Sequence, residues 1–153
     1  MTLLDLVKPE LVLPKTECSS INELISKFVD QVYKTNRDFT IPKEALLHTI
    51  DRREKIGGTL LPSGLSVPHA RLEIYNNFIL VLGTPKWLLF QDERRINLMA
   101  LMISSMSGSP HYLPVLAELT KISRDEDYFA RLCRAEDPKE FINILSERDS
   151  ELE

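Results

Sequence analysis

Histidine is the side chain that titrates nearest to neutral pH without help, so the three histidines, at 48, 69 and 111, are where chemistry is first sought. His48 falls beside Leu47 in a predicted helix and reads as a surface or half-buried helix residue. His69 follows Pro68 at the end of a predicted strand, just past a glycine-rich loop, with Arg71 two places on. His111 follows Pro110 at the apparent start of a helix, where first-turn N–H groups favour an anion. Three chemistries compete for these residues. A zinc site is weak, because no HExxH-like spacing links the histidines and neither Cys18 nor Cys133 lies near one in sequence. Serine hydrolysis is weak too: Gly64-Leu65-Ser66-Val67-Pro68 approaches a nucleophile elbow, but its last glycine is proline and no helix begins after Ser66. The third is phosphoryl transfer through a histidine. It needs an imidazole exposed at an element end, donors for the phosphoryl oxygens, and a surface that a partner protein reaches. His69 at a strand end answers the first need, and Arg52, Arg53, Thr59, Arg71 and the glycine-rich loop are candidates for the second. No GxxxxGK[ST] loop is present, so the phosphate would come from another protein.

The elements that must position these residues follow from periodicity. Ser20 and Glu23 form a capping box, and Ile21, Leu24, Ile25, Phe28, Val29 and Val32 recur at helical spacing behind them. A second helix is predicted from Pro42 to about Glu54, with Leu46, Leu47 and Ile50 facing inward. KIGGTLLPSG reads as a turn-rich loop. It leads to a strand at residues 65–67, where Pro68 ends regular pairing. Asn76 and Asn77 mark a turn before the strand FILVLG, and the length of INLMALMIS favours another strand. The last third reads as helices: SPHYLPVLAELTKI, with Leu113, Leu116 and Leu119 as its core stripe, then DEDYFARLC and DPKEFINIL. Asp137, Pro138 and Glu140 supply the start signal of the last one. The pattern predicts a single α/β domain over residues 1–153, a mixed central sheet flanked by helices on both faces.

Composition sets the outer limits. A chain of 153 residues, 43% hydrophobic and 27% charged, has the balance of a globular protein able to bury roughly 70% of its unfolded surface. Nineteen basic residues against 23 acidic ones give a formal charge of -4, which argues against a general nucleic-acid binder. Two cysteines make neither a disulfide framework nor a four-ligand zinc site, and both read as small buried or half-buried residues. The opening MTLLDLVKPELVLP is broken by Asp5, Lys8, Pro9 and Glu10, unlike a signal peptide. The apolar run at residues 98–103 is far short of the ~20 needed to cross a bilayer. A cytoplasmic location is therefore expected.

The segment REKIGGTLLPSGLSVPHAR, residues 53–71, resembles the active-site signature of the type-2 enzyme IIA domains of the bacterial phosphoenolpyruvate:sugar phosphotransferase system. These include the fructose, mannitol and nitrogen-regulatory types. Its parts are Arg53-Glu54, Gly58-Thr59, Gly64 and Pro68-His69-Ala70, and the likeness runs on through HYLPVLAELTKI and DPKEFINIL. The resemblance implies that His69 accepts a phosphoryl group from the histidine-containing carrier protein and hands it to a cysteine of enzyme IIB. It makes His111 the second histidine of the site and Arg53 the arginine that supports transfer. Glu54 and Thr59 would orient the loop and ring, while Arg71 is either a phosphate contact or a docking-surface charge. No cofactor, metal or membrane insertion is implied. The alternative it leaves open is a nitrogen-regulatory protein whose phosphorylation state controls partners without sugar transport.

Three departures from the family pattern carry expectations of their own. Tyr112 stands where leucine usually follows the histidine. Pro114 would cost a regular helix begun at Pro110 about 3 kcal/mol, so that helix must start later or kink. DERRIN replaces the family's Asp-x-x-Pro-Val and should change a surface near the site. Finally, Arg52, Arg53, Arg71, Arg94 and Arg95 crowd the middle of the chain, where a phosphohistidine would need them.

Overall fold

The computed structural model describes residues 2–56, 59–73, 75, 77–106 and 109–148. Gly57 and Gly58 of the glycine-rich loop and Asn76 of the predicted turn lie outside them. The elements are α1 (Leu3–Leu6), a 3-10 turn (Pro9–Leu11), β1 (Val12–Thr16), α2 (Ile21–Thr35), α3 (Lys43–Ile56), β2 (Leu65–Ser66), β3 (His69–Leu72), β4 (Ile79–Pro85), β5 (Phe90–Gln91), β6 (Arg94–Arg95), β7 (Leu98–Ser105), α4 (Tyr112–Arg124), α5 (Glu126–Cys133) and α6 (Pro138–Ser146).

The central sheet runs β1-β4-β7-β2, with β3 continuing the β2 side against β7. β1 is parallel to β4, β4 is antiparallel to β7, and β2 and β3 are both parallel to β7. The sheet is mixed, as predicted. β4 and β7 are central and almost wholly buried, which is why they read as continuous apolar runs without alternation. Residues of α2 and α3 pack with Val81, Met99, Leu101 and Ile103 in one core. Residues of α4, α5 and α6 pack with Leu80, Leu82, Ala100 and Met102 in another. Alternate residues of one strand thus serve opposite cores, and helices cover both faces.

Helix starts follow their local signals. Ser20 accepts the Glu23 N–H at 3.1 Å, and Glu23 reaches back to the Ser19 N–H at 3.0 Å, one residue earlier than a reciprocal box would have it. Asp137 caps α6 by accepting the Glu140 N–H at 2.8 Å. In α2, Leu24, Phe28, Val29 and Val32 are wholly buried, each worth about 1.5–3 kcal/mol. Pro114 is accommodated because α4 begins only at Tyr112. It then occupies the first turn, where its missing N–H would have no helical partner anyway.

Two readings of the sequence, at Pro68 and Leu113, need correction, and two elements, β1 and the β5–β6 hairpin, were not predicted. Pro68 interrupts pairing but does not end it, since its carbonyl accepts the Met102 N–H at 3.0 Å and β3 starts at the next residue. β1 was hidden by Pro14, which a sheet tolerates here because β1 is an edge strand. The β5–β6 hairpin turns on Asp92 and Glu93, both at positive φ (50° and 67°). That geometry usually announces itself through Asn-Gly or Asp-Gly. Lastly, Leu113 is not core: it is 69% exposed, and the inward face of α4 is Val115, Leu119 and Ile122.

Lys15 sits in an irregularity of β1, where the register with β4 shifts, at φ 52°. This left-handed conformation costs a non-glycine residue about 1–3 kcal/mol. A bulge re-aims side chains at a sheet edge.

Candidate functional site

His69 opens β3, in register with Met102 of β7, and its side chain is only 6% exposed. This corrects the expectation of an exposed imidazole at a strand end: the ring lies at a strand start, covered. Its Nε2 shares a 2.7 Å hydrogen bond with Oγ of Ser104, itself buried on β7. Tyr112, the first residue of α4, lies flat against the ring, with centroids 4.0 Å apart and planes 11° from parallel. Tyr112, a departure from the family pattern, is thus the residue that covers His69. Ser104 carries no local sequence signal and reaches the site only through the β3–β7 pairing.

Burial pushes the His69 imidazole well below its ordinary value, to about 4, and the Arg71 and Arg53 guanidinium groups push in the same direction. The ring is therefore neutral near pH 7, with one nitrogen lone pair unprotonated. The Ser104 hydroxyl, which can donate or accept, engages Nε2 in either tautomer and fixes the plane of the ring. The shift also links folding to pH. The unfolded chain takes up this proton near pH 6.5 and the folded one only near 4, so stability is complete above 6.5 and falls as the pH drops toward 4. The expected loss from this residue is roughly 3 kcal/mol. Urea unfolding across that window should show it in the wild type, and the His69→Gln variant, which does not titrate, should lack that part of the slope.

The other predicted residues are distributed as follows. Arg53 and Glu54 stand near the end of α3, which packs on β3. Thr59 donates to Glu54 Oε1 at 2.6 Å, and its carbonyl accepts the Val67 N–H at 3.1 Å. The loop ahead of His69 is in this way tied to α3 on one side and to the β2 segment on the other. Gly64, at φ +89°, turns the chain where an added Cβ would lie 2.9 Å from the Arg95 carbonyl oxygen. Asn97, the last residue of DERRIN, closes that turn by donating to the Ser63 carbonyl at 3.0 Å. Arg53 and Arg71 are both exposed, and both act electrostatically on the His69 ring.

His111 caps α4, its carbonyl accepting the Val115 N–H at 3.0 Å and its own N–H donating to Ser109 Oγ at 3.1 Å. Its ring packs against Phe78 at 5.7 Å, while the next residue, Tyr112, meets His69. The expected crowd of five arginines does not form around the ring. Arg94 and Arg95 belong to the β5–β6 hairpin, and Arg95 lines a cleft at the other end of the sheet. Of the three histidines, His48 is exposed on α3, as expected. Cys18 is buried and Cys133 half-buried. Ser66 is buried within β2 rather than presented at an elbow.

Among the described residues no group of three or more His, Cys, Asp or Glu side chains is placed to hold a metal ion. None of their helices is long and apolar enough to cross a membrane. What the site does offer is a neutral, oriented imidazole within electrostatic reach of the Arg53 and Arg71 guanidinium groups, beside the positive end of a helix. That arrangement suits a nucleophile toward an electrophile carrying negative oxygens.

Known proteins resemble this chain in sequence and in fold. Residues 5–148 match the family described as "Phosphoenolpyruvate-dependent sugar phosphotransferase system, EIIA 2". A nitrogen regulatory protein of Bradyrhizobium diazoefficiens is 25% identical over 154 residues, covering 95% of each chain. Among solved structures, the nitrogen regulatory protein IIA-Ntr of Neisseria meningitidis superposes with a TM-score of 0.81 at 16% identity, over 94% of this chain and 98% of that one. Enzyme IIA mannitol of Escherichia coli, in its complex with phosphorylated enzyme IIB mannitol, gives 0.72 at 17% identity, over 93% and 98%.

Proposed function

Because the chain belongs to the phosphoenolpyruvate-dependent sugar phosphotransferase system EIIA 2 family, we propose that it carries a phosphoryl group on His69, taken from the phosphohistidine of the histidine-containing carrier protein. The observation that carries this reading is the His69 imidazole held at Nε2 by Ser104 and stacked on Tyr112 at the start of α4, with burial and the Arg71 and Arg53 charges favouring its neutral form. In the transfer, a His69 nitrogen lone pair forms the new N–P bond in line with the breaking N–P bond of the donor, whose ring leaves with the electron pair. Charge gathers on the three equatorial oxygens. Arg53, Arg71 and the first-turn N–H groups of α4 are the donors that meet it, His111 stands at the same helix start, and Glu54 with Thr59 holds the loop in place. The step needs no metal and no nucleotide.

The next acceptor separates two versions of the role. Discharge onto a cysteine of an enzyme IIB would make the protein a transport component, and the IIA mannitol structure was solved with such a partner. The alternative is a regulatory role, in which the phosphorylation state controls partner proteins without sugar transport. It is favoured by the nitrogen regulatory relatives in both sequence and structure. Incubation with phosphoenolpyruvate, enzyme I and the carrier protein should add the mass of one phosphoryl group, labile to acid as a phosphoramidate is. An unchanged mass would sink the proposal. Offering the phosphorylated protein to a panel of IIB domains then divides the roles: discharge onto any of them supports transport, and retention with all of them supports regulation.

A further inference from the structure

A second cleft takes no part in this chemistry, and its lining is unlike the rest of an acidic chain. It holds about 1000 Å³, a volume in the range of small-molecule sites. Its walls are the carboxyl ends of β1 and β4, the segment leading into β7, the end of α4, and α5. Asn97 in that wall is five residues before Met102, the partner of His69 on β7. At ~3.3 Å per residue the cleft is on the order of 15 Å from the histidine.

Five cations line it, Lys15, Lys86, Arg95, Arg124 and Arg134, against one carboxylate, Glu126, in a chain whose net charge is -4. Lys86 is paired with Glu17 at 3.0 Å. Among the described residues no ion pair engages the other four. Lys15, Arg95 and Arg134 share the cleft wall with Cys133, and all three are near enough to act electrostatically on its thiol. Lys15 is brought there by the irregular, left-handed turn of β1, a conformation that lysine does not favour. Unpaired like charges gathered in a concave surface repel one another and raise the local concentration of anions. Beside them stands Trp87, the single tryptophan of the chain, 57% exposed. The Lys86 ammonium lies 5.3 Å from its ring centroid.

We propose that this cleft binds a small polyanion bearing a flat ring, the chemical class of a nucleoside di- or triphosphate. Lys15, Arg95 and Arg134 hold the phosphates and Trp87 packs against the base. Charge-assisted hydrogen bonds to phosphate fix one end of the ligand, and stacking on the indole fixes the other. The site stands apart from His69, so its test is independent of phosphoryl transfer.

The full chain is titrated with ADP, ATP, GDP and GTP, followed by calorimetry and by the fluorescence of Trp87, which reports on the cleft without a label. Saturable one-to-one binding is expected for at least one nucleotide. The Arg95→Gln/Arg134→Gln double variant should weaken it about tenfold or more, while its thermal unfolding stays near that of the wild type because both side chains are exposed. Inorganic pyrophosphate should bind more weakly than the nucleotide. Three results overturn the proposal: no saturable signal with any of the four up to millimolar concentration, equal affinity in the double variant, or pyrophosphate binding as tightly as the nucleotide.

Discussion

His69→Ala is expected to reduce phosphoryl uptake to nothing detectable by mass under conditions where the wild type is fully charged. No neighbour substitutes for the lost ring. His111 faces Phe78, and His48 lies on the exposed side of another helix. The same substitution should also weaken the fold. Ser104 is 1% exposed and loses the partner it holds at 2.7 Å. Leaving a buried hydroxyl unsatisfied costs about 1–3 kcal/mol, and Tyr112 loses the surface on which it lies. His69→Gln separates the two effects. Its amide is polar and long enough to engage Ser104, so most of the stability should return, yet uptake should remain zero because an amide is no nucleophile. Mass measurement and urea unfolding on both variants decide the matter. Residual uptake in either would move the acceptor to another residue.

The second large effect is expected far from the chemistry, at Gly83. This residue lies inside β4, paired with Leu13 on one side and Met99 on the other. A Cβ there would run into the Leu13 carbonyl oxygen and come within 2.7 Å of the Phe28 ring. Neither neighbour yields easily, because one is backbone in the sheet and the other is wholly buried. Gly83→Ala should therefore push β1 away from β4 and cost about 3 kcal/mol, a fall in Tm of roughly 6–12 °C for a chain of this size. A melting temperature within about 2 °C of wild type would show that β1 can slide without penalty.

These two positions also show what the sequence made legible. His69 stood out because its neighbours in sequence already spelled a phosphate-handling segment, and Arg53, Glu54 and Thr59 came with it. The caps of α2 and α6 were readable because capping is local: donor and acceptor lie within three or four residues. Ser104 and Tyr112 were not readable as site residues. Each reaches His69 across a long stretch of chain, one by strand pairing and the other by the placement of α4. Gly83 was read as the end of a strand, whereas the chain continues to Pro85 and the glycine marks the close approach of two backbones. The arginine crowd failed for a related reason. Nearness in the middle of the sequence placed Arg95 with Arg53, but β5–β6 carries it to the far end of the sheet. Leu113 misled through periodicity alone, since Pro114 fixes where α4 begins but not which of its faces is turned inward.

The flat cover that Tyr112 lays over His69 bears on time as well as on reactivity. A phosphoramidate in water is lost by attack of a water molecule on phosphorus, and the stacked Tyr112 ring closes one face of the imidazole to that approach. On the phosphocarrier reading, the charged state would persist between encounters and end when a docked partner supplies the acceptor. A lifetime set by collisions and not by hydrolysis gives the protein a memory of past donor supply, which is as useful to a regulator as it is to a carrier.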